Sequence, residues 1–242
     1  MRGSVAVTAA ATLGLFGGGM LYASMWPTSQ FFGRTLIAGG DPDEFALTFD
    51  DGPNDAATPQ LLDVLARHQV RATFFMMGSF ARQKPDIARR VAAQGHLIGN
   101  HTMDHPKLAF EPAAKVRQQL VDCTAVLEDL TGNAVRFFRP PFGSRRPVVL
   151  QIARDIGLTP VMWNITCNDW EPIGSDGILR HLNAGIAHNR AHGRGSNILL
   201  HDGGHRIMST HRMDTVHAVD QLLSGRLPES RWVTVDAWQS DA

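Results

Sequence analysis

The chain has 242 residues, 43% of them hydrophobic, which allows one folded domain with a substantial core and excludes an intrinsically disordered chain. Its 23 Lys and Arg residues balance 23 Asp and Glu residues, and no stretch is rich in basic residues, so a nucleic-acid partner is disfavoured. Two cysteines, Cys123 and Cys167, are too few for a disulfide framework or a cysteine zinc site.

The N-terminal residues 1–27 are predicted to form a hydrophobic signal or membrane-anchor segment. After Arg2 no charged residue occurs before Arg34, and an uncharged stretch of this length can cross a bilayer. We favour an uncleaved anchor with the domain outside the cytoplasm, at the cell envelope. A cleaved secretory signal and a buried first helix are the alternatives. Residues 28–43 are interpreted as a linker, or as coil lying over the domain that spans 44–242.

From residue 44 onward, short apolar runs alternate with helical patterns. Thr58 is expected to cap the first helix, with Pro59 at its first position, and Ser175 is expected to cap a later one. Further helices are predicted at 85–94, 112–130, 147–156 and 213–223. The predicted strands are 45–49, 72–76, 97–99, 135–138, 159–165, 198–200 and 232–235.

This strict alternation predicts right-handed βαβ units around a parallel sheet. Polar side chains capable of chemistry follow at least five of the strands. An open sheet concentrates its site at one switch point, whereas a barrel collects residues from many strand ends on one face. The sequence therefore predicts an α/β fold that is a distorted, incomplete (β/α) barrel with about seven parallel strands.

Two adjacent carboxylates, Asp50 and Asp51, follow the first predicted strand in the stretch TFDDGP. Gly and Pro disfavour continuation of a strand, so Gly52 and Pro53 should end it and both acids are expected at its C-terminal end. Neighbouring carboxylates resist ionising together unless a cation or an arginine offsets their repulsion. This pattern suggests one metal ligand beside one base, although Asp-Gly is also common in plain surface turns.

His101 and His105 have the spacing H-x-x-x-H, which on a helical turn places both imidazoles on one face. With Asp51 they would offer two nitrogens and one oxygen, a set that suits zinc or another first-row divalent ion. Two histidines on a solvated turn are the simpler alternative. A ferrous site of an oxygenase is another, but it fits βα repeats poorly.

Three later loops also carry candidate residues. Arg139 begins the stretch RPPFG, whose two prolines make a rigid loop, and it is a natural partner for Asp50. Asp169 lies in NDW beside an aromatic residue, and His201 follows an apolar strand in LLHD. Each alone has an ordinary explanation, such as a surface arginine or a core histidine.

In combination, TFDDGP, HTMDH, RPPFG, NDW and LLHD resemble the polysaccharide deacetylases, the NodB-homology group also called carbohydrate esterase family four. The resemblance covers residues 45–235. It implies a distorted (β/α) barrel that removes acetyl groups from an N-acetylated sugar polymer. It also implies a divalent metal ion, for which we expect Zn²⁺, with Co²⁺, Ni²⁺ and Mn²⁺ as alternatives.

The resemblance also assigns roles to individual residues. Asp50 is implied as the general base, oriented by Arg139, and His201 as the general acid, tuned by Asp169. The implied metal ligands are Asp51, His101 and His105. The backbone amide near Phe142 would face the oxyanion, and Trp170 with Leu199 would line a pocket for the acetyl methyl group. The implied substrate-binding residues are thus Pro140, Phe142, Trp170 and Leu199.

The expected function is hydrolysis of N-acetyl groups on an envelope or extracellular glycan, either peptidoglycan or chitin-like, by an enzyme joined to the membrane through its N-terminal segment. Acetyl esters on xylan, or another linear or cyclic amide, are alternative substrates. A non-catalytic glycan-binding relic is the least favoured alternative, since it would be expected to lack part of this set. Thr166 replaces an Asp common in the family and precedes Cys167, and the histidine-rich loop 205–211 has no family role.

Overall fold

The computed structural model of the chain describes residues 22–225 and 229–241. Its core is one sheet in which every strand pairs in parallel with its neighbours. The strands are β1 (Glu44–Gly52), β2 (Thr73–Met76), β3 (Leu97–Asn100), β4 (Phe137–Phe138), β5 (Thr159–Pro160), β6 (Ile165–Thr166), β7 (Ser196–His201) and β8 (Arg231–Trp232). The helices are α1 (Ala57–Arg67), α2 (Gly78–Gln83), α3 (Pro85–Ala93), α4 (Ala113–Thr131), α5 (Pro147–Asp155), α6 (Gly174–Ala191) and α7 (Met213–Ser224).

The strand order is β5-β4-β3-β2-β1-β7-β6, with β8 added beside the start of β1. Strands β5 and β6 lie at opposite ends of this order, yet only residues 161–164 separate them. So short a connection spans at most about 18 Å, so the sheet must curl until its two edges approach each other. This architecture confirms the predicted distorted, incomplete (β/α) barrel.

The single strand predicted at 159–165 is wrong, because the chain changes partners within it. Residues 159–160 pair with β4, whereas residues 165–166 pair with β7. Between them, Leu36 bridges to Val161 and exchanges backbone hydrogen bonds of 2.9 and 2.8 Å with Pro160 and Met162. A segment from outside the βα repeats therefore occupies the gap in the barrel wall.

Alternation along β1 separates the core into two parts. Leu47 and Phe49 face the helices and join the main hydrophobic cluster, in which Phe49 stacks on Phe74 at 5.1 Å between ring centroids. Ala46 belongs to a smaller cluster inside the barrel. Because side chains in a strand alternate between faces, Thr48 and Asp50 are also directed to the barrel interior.

Two predicted helix caps are wrong. Helix α1 begins at Ala57, because the Asn54 side chain accepts the amide protons of Ala56 and Ala57 while the Thr58 hydroxyl bonds Asp202. Helix α6 begins at Gly174, which leaves Ser175 inside it. Helix α2 was not predicted, since six residues hold too little periodicity to be recognised.

The segment before β1 lies over the domain, with residues 22–25 helical and most of the remainder irregular. The buried Arg145 guanidinium donates to the carbonyl oxygens of Trp26 and Ser29 at 2.7 and 2.8 Å, and the Arg145 backbone amide donates to Ser24 at 3.2 Å. Most of the hydrophobic segment predicted at 1–27 falls outside the described residues. Within the described ranges, no helix is both long and apolar enough to cross a membrane.

Candidate active site

Asp50 and Asp51 are not part of a surface turn. Strand β1 extends through both of them to Gly52, and they are only 3% and 4% exposed. The pairing with β2 shifts register between Asp50 and Gly52, and Asp51 has a φ of 68°. This irregularity gives the two consecutive carboxylates different environments at the end of one strand.

His101 and His105 follow β3 in a loop, so the predicted helical turn is wrong. The Asn100 side chain accepts the Thr102 amide proton at 2.7 Å, and the Thr102 hydroxyl accepts that of His105 at 3.0 Å. Both Thr102 and His105 have positive φ, which a right-handed helix does not allow. The loop still brings the two imidazole rings to 4.9 Å between centroids.

Asp51, His101 and His105 offer one ligand atom each, and these atoms all lie within 4.8 Å of one another. Asp51 Oδ1 is 3.0 Å from His105 Nε2 and 3.4 Å from His101 Nε2. That oxygen is buried without a hydrogen-bond partner, and the His101 ring is fixed by a 2.8 Å bond from Nδ1 to the Arg139 carbonyl. A buried, unpartnered carboxylate oxygen facing two imidazole nitrogens fits a divalent cation.

The electrostatics of these residues also suit a cation. Burial raises the pKa of Asp51, but the neighbouring His101, His105 and His205 side chains outweigh this and hold it well below its usual value. Burial lowers the pKa of His105 despite the adjacent Asp51. An ionised carboxylate and a neutral imidazole are the forms that bind metals.

Arg139 binds Asp50 inside the barrel. Its Nη1 donates to Asp50 Oδ1 at 2.9 Å and to the Thr48 hydroxyl at 2.7 Å, while Nη2 donates to Met162 and Asn197. Burial lowers the pKa of Arg139, and the Asp50 carboxylate opposes that shift. The second Asp50 oxygen lies 3.8 Å from His101 Nε2, on the side of the three metal-ligating candidates.

Asp169 holds His201 at two points. Its Oδ1 is 2.8 Å from His201 Nδ1, and its Oδ2 accepts the His201 amide proton at 2.7 Å and the Thr215 hydroxyl proton at 3.0 Å. Burial would lower the pKa of His201, but Asp169 reverses this and raises it to about 9. Asp169 thus favours the imidazolium form of His201 and occupies its Nδ1, and His201 is the register partner of Asp50.

The four predicted substrate-binding residues fall into two groups. Phe142 and Trp170 are 40% and 45% exposed, and they contact His105 and His201 with ring centroids 4.5 and 5.3 Å apart. Pro140 is buried, and Leu199 is buried in a cluster with Met162 and Trp163. The aromatic pair therefore flanks the site, while Leu199 contributes to its floor.

Asp202 and His205 are residues of the site whose positions the sequence did not predict. The buried Asp202 carboxyl accepts the Thr58 hydroxyl proton and lies against Gly52, where a Cβ would be 2.3 Å from its oxygen. Burial raises its pKa to about 7. His205 contacts both Asp51 and His105. Asp202 follows His201 in LLHD, but adjacency alone does not indicate its position.

Thr166, which departs from the family pattern, lies beside the site. Its hydroxyl accepts the indole proton of Trp163 at 2.6 Å. The centroid of the Trp163 ring in turn lies 5.6 Å from Cζ of the Arg139 guanidinium. Cys167 is buried, and burial raises the pKa of its thiol, so it remains a neutral packing residue.

Comparison with known proteins gives consistent matches. The polysaccharide deacetylase family model matches residues 38–161. The chain is 41% identical to a chitooligosaccharide deacetylase of Sinorhizobium fredii over 158 residues, 65% of this chain and 71% of that protein. It is 38% identical to a peptidoglycan-N-acetylglucosamine deacetylase of Bacillus cereus over 175 residues, 72% of this chain and 62% of that protein, less than two thirds of its length.

Solved structures agree with the sequence matches. The Bc1960 peptidoglycan N-acetylglucosamine deacetylase superposes with a TM-score of 0.72 at 34% identity, covering 83% of this chain and 90% of that one. A CE4 family pseudoenzyme from Bacillus anthracis also superposes, with a TM-score of 0.68 at 26% identity, over 79% of this chain and 63% of that one. On the matched sequence, the shared fold and the residues gathered at its strand ends, this chain belongs to the polysaccharide deacetylase family.

Proposed function

We propose that this chain hydrolyses N-acetyl groups of a peptidoglycan-like or chitin-like glycan, with Asp50 as general base and His201 as general acid. One observation carries the proposal: Asp50 with its arginine and His201 with its carboxylate lie on neighbouring strands beside the three metal-ligating candidates. The names of the relatives support the same substrate class. A pseudoenzyme with this fold means that the side chains, not the fold, must carry the assignment.

Asp51, His101 and His105 would hold the metal ion, for which zinc is our first candidate and cobalt, nickel and manganese the alternatives. Such an ion supplies a Lewis acid that polarises the acetyl carbonyl. Asp50 would take the proton from the attacking water. Arg139 donates a hydrogen bond to Asp50 Oδ1, which leaves Oδ2 to accept that proton.

His201 would protonate the departing sugar amine. An amine leaves poorly unless it is protonated as the bond breaks, so amide cleavage depends on a general acid. Asp169 binds Nδ1 and favours the imidazolium, which leaves Nε2 to donate the proton. Base and acid thus each have a partner of opposite charge, Arg139 for Asp50 and Asp169 for His201.

Exposed aromatic rings would position the glycan, and a buried surface would receive the acetyl group. Phe142 and Trp170 present their rings on either side of the catalytic pair. Leu199, with Met162 and Trp163, would contact the acetyl methyl. Because such a polymer lies outside the cytoplasm, we also propose a cell-envelope location, with residues 1–27 as anchor or signal. Fractionation of cells expressing the full chain tests that location.

Acetate release from defined substrates tests the catalytic proposal. The full chain, loaded with zinc, is incubated with peptidoglycan, chitin oligomers and acetylated xylan, and Asp50→Asn serves as the matched control. We expect release from one or both N-acetylated glycans and a large loss in the variant. Release from xylan alone would identify an acetyl esterase. No release from any of the three by the metal-loaded protein would contradict the proposal.

A further inference from the structure

The loop of residues 203–212, which joins β7 to α7, passes directly over Asp51. A Cβ at Gly203 would lie 2.1 Å from the Asp51 carbonyl oxygen, so no side chain fits there. A Cβ at Gly204 would lie 2.4 Å from the Thr210 hydroxyl oxygen. The two glycines therefore allow the chain to cross the end of β1 and turn back, which brings His205 to the metal-ligating candidates.

The loop is held in this position at both ends. Arg212 Nε donates to the Gly203 carbonyl at 2.7 Å, and Asn54 Nδ2 donates to the Thr210 carbonyl at 2.9 Å. Within the loop, Ile207 donates its amide proton to Gly204 and accepts that of Thr210, both at 3.1 Å. These bonds fix the backbone around His205, although the loop tip is exposed at Ile207.

His205 contacts two of the three metal-ligating candidates. Its backbone amide donates to Asp51 Oδ2 at 3.3 Å, and its ring Nδ1 lies 3.6 Å from the same oxygen. Its ring stacks on that of His105, with centroids 4.5 Å apart and an interplanar angle of 19°. The Asp51 oxygens are thus divided, with Oδ2 toward this loop and Oδ1 toward the two histidines.

The contact with His105 matters because that ring lacks the usual orienting hydrogen bond. A metal-ligating histidine almost always donates its other ring nitrogen to a polar group, which fixes the ring. His101 does so through the Arg139 carbonyl. His105 Nδ1 is buried without a hydrogen-bond partner. Its ring is held by packing instead, between His205 and Phe142, whose centroid is 4.5 Å away.

We propose that His205 is a positioning residue of the metal centre, which stacks on His105 in place of the missing hydrogen bond and keeps Asp51 Oδ1 directed to the ion. His205 is not itself a ligand, since it is absent from the set whose ligand atoms lie within 4.8 Å of one another. This inference rests on the proposed use of that set to bind a metal.

Cobalt binding tests the role of the ring without relying on activity. Metal-free full chain is titrated with Co²⁺, and affinity is measured by visible absorption and by competition with a chelator. Loss of an outer partner typically costs about 10- to 100-fold in metal affinity, and we expect His205→Ala to fall in that range with an altered cobalt spectrum. His205→Phe keeps a ring that can stack, so it should bind close to wild type.

His211→Ala is the matched control, because His211 lies in the same loop and is exposed. Equal melting temperatures of the metal-free proteins would exclude a general loss of folding. If His205→Ala binds cobalt with wild-type affinity and spectrum, or if His211→Ala loses as much, the positioning role is wrong. Failure of the wild-type protein to bind cobalt would instead overturn the metal site on which the inference depends.

Discussion

Two histidine pairs with the same spacing of four residues, His101 with His105 and His188 with His192, differ in burial and in the groups they contact. His188 and His192, at the end of α6, have rings 4.3 Å apart and are exposed to solvent. His101 and His105 lie in an irregular loop, are buried, and share the carboxylate of Asp51. The regular helical pair has the closer rings, yet the loop pair forms the candidate metal site.

The difference shows that spacing brings imidazoles together but does not make a site. The only ring-nitrogen contact recorded for the His188–His192 pair within the described chain is between His192 Nδ1 and the His188 carbonyl, at 2.7 Å. At the buried pair, Asp51 Oδ1 is removed from water without a hydrogen bond, which is costly unless a cation compensates it. Burial with a shared carboxylate, rather than ring proximity, therefore distinguishes the two regions.

Removing the charge of the Asp51 carboxylate should have the largest effect on zinc binding. We expect Asp51→Asn to lose at least about 100-fold in zinc affinity, since loss of even an outer partner costs 10- to 100-fold, and to lose activity with it. Elemental analysis after dialysis measures the zinc content. The double variant His188→Ala/His192→Ala is the control and should retain wild-type zinc. If the double variant loses zinc and Asp51→Asn keeps it, the metal site lies at His188 and His192 and the assignment to the buried pair is wrong.

The neighbouring carboxylate separates chemistry from metal binding within the buried region. Asp50→Asn keeps the size of the side chain but removes its basicity, so deacetylation should fall by about 10²- to 10⁴-fold. Zinc content should remain near wild type, since Asp50 is not among the three metal-ligating candidates. Parallel assays of acetate release and zinc content check this. Loss of zinc equal to that of Asp51→Asn would show that the two roles are assigned to the wrong residues.

The pairing of His201 with Asp169 should appear in the pH dependence. The acid form of His201 is available below its raised pKa of about 9 and is lost as pH rises through that value. Asp169→Asn removes the charge that raises the pKa, so the alkaline limb of the pH–rate profile should move down by about 1–3 units. Measuring kcat/KM across pH tests this. If the alkaline limb of the Asp169→Asn profile stays in place, His201 is not the general acid.

The smallest effect on stability and activity is expected from substituting His188 and His192. His188 and His192 are exposed near the end of α6, where surface substitutions usually change stability by less than about 0.5 kcal/mol. The double alanine variant should therefore keep its urea midpoint and its deacetylase activity. A marked loss of either would give this pair a structural or functional role that its exposure does not suggest.

The sequence predicted the barrel and the candidate residues because both depend on local order. Apolar runs alternate with helices, and each run ends in a short motif, so the strand ends could be recognised one at a time. The irregular loop at His101 and His105 could not be predicted, because it depends on Asn100 accepting the Thr102 amide proton. The same motif spacing is equally compatible with a helix, which His188 and His192 demonstrate.

Other features depend on contacts between distant parts of the chain. The strand predicted at 159–165 divides because Leu36, more than 120 positions earlier, takes over the hydrogen bonds between its two halves. His205 meets Asp51 across a sequence separation of 154. Neither contact leaves a periodic pattern, and the histidine-rich composition of the loop could not indicate which of its histidines faces the site.

The segment of residues 22–43 limits how the domain can be shortened. A fragment starting at residue 44 would lose the three carbonyl oxygens, of Ser24, Trp26 and Ser29, that accept hydrogen bonds from the Arg145 guanidinium. Met25 contributes its carbonyl oxygen 3.5 Å from the Cβ position of Gly143, next to Phe142. Residues 22–29 therefore pack beside a residue that flanks the candidate site, so a shortened form of the domain should keep them.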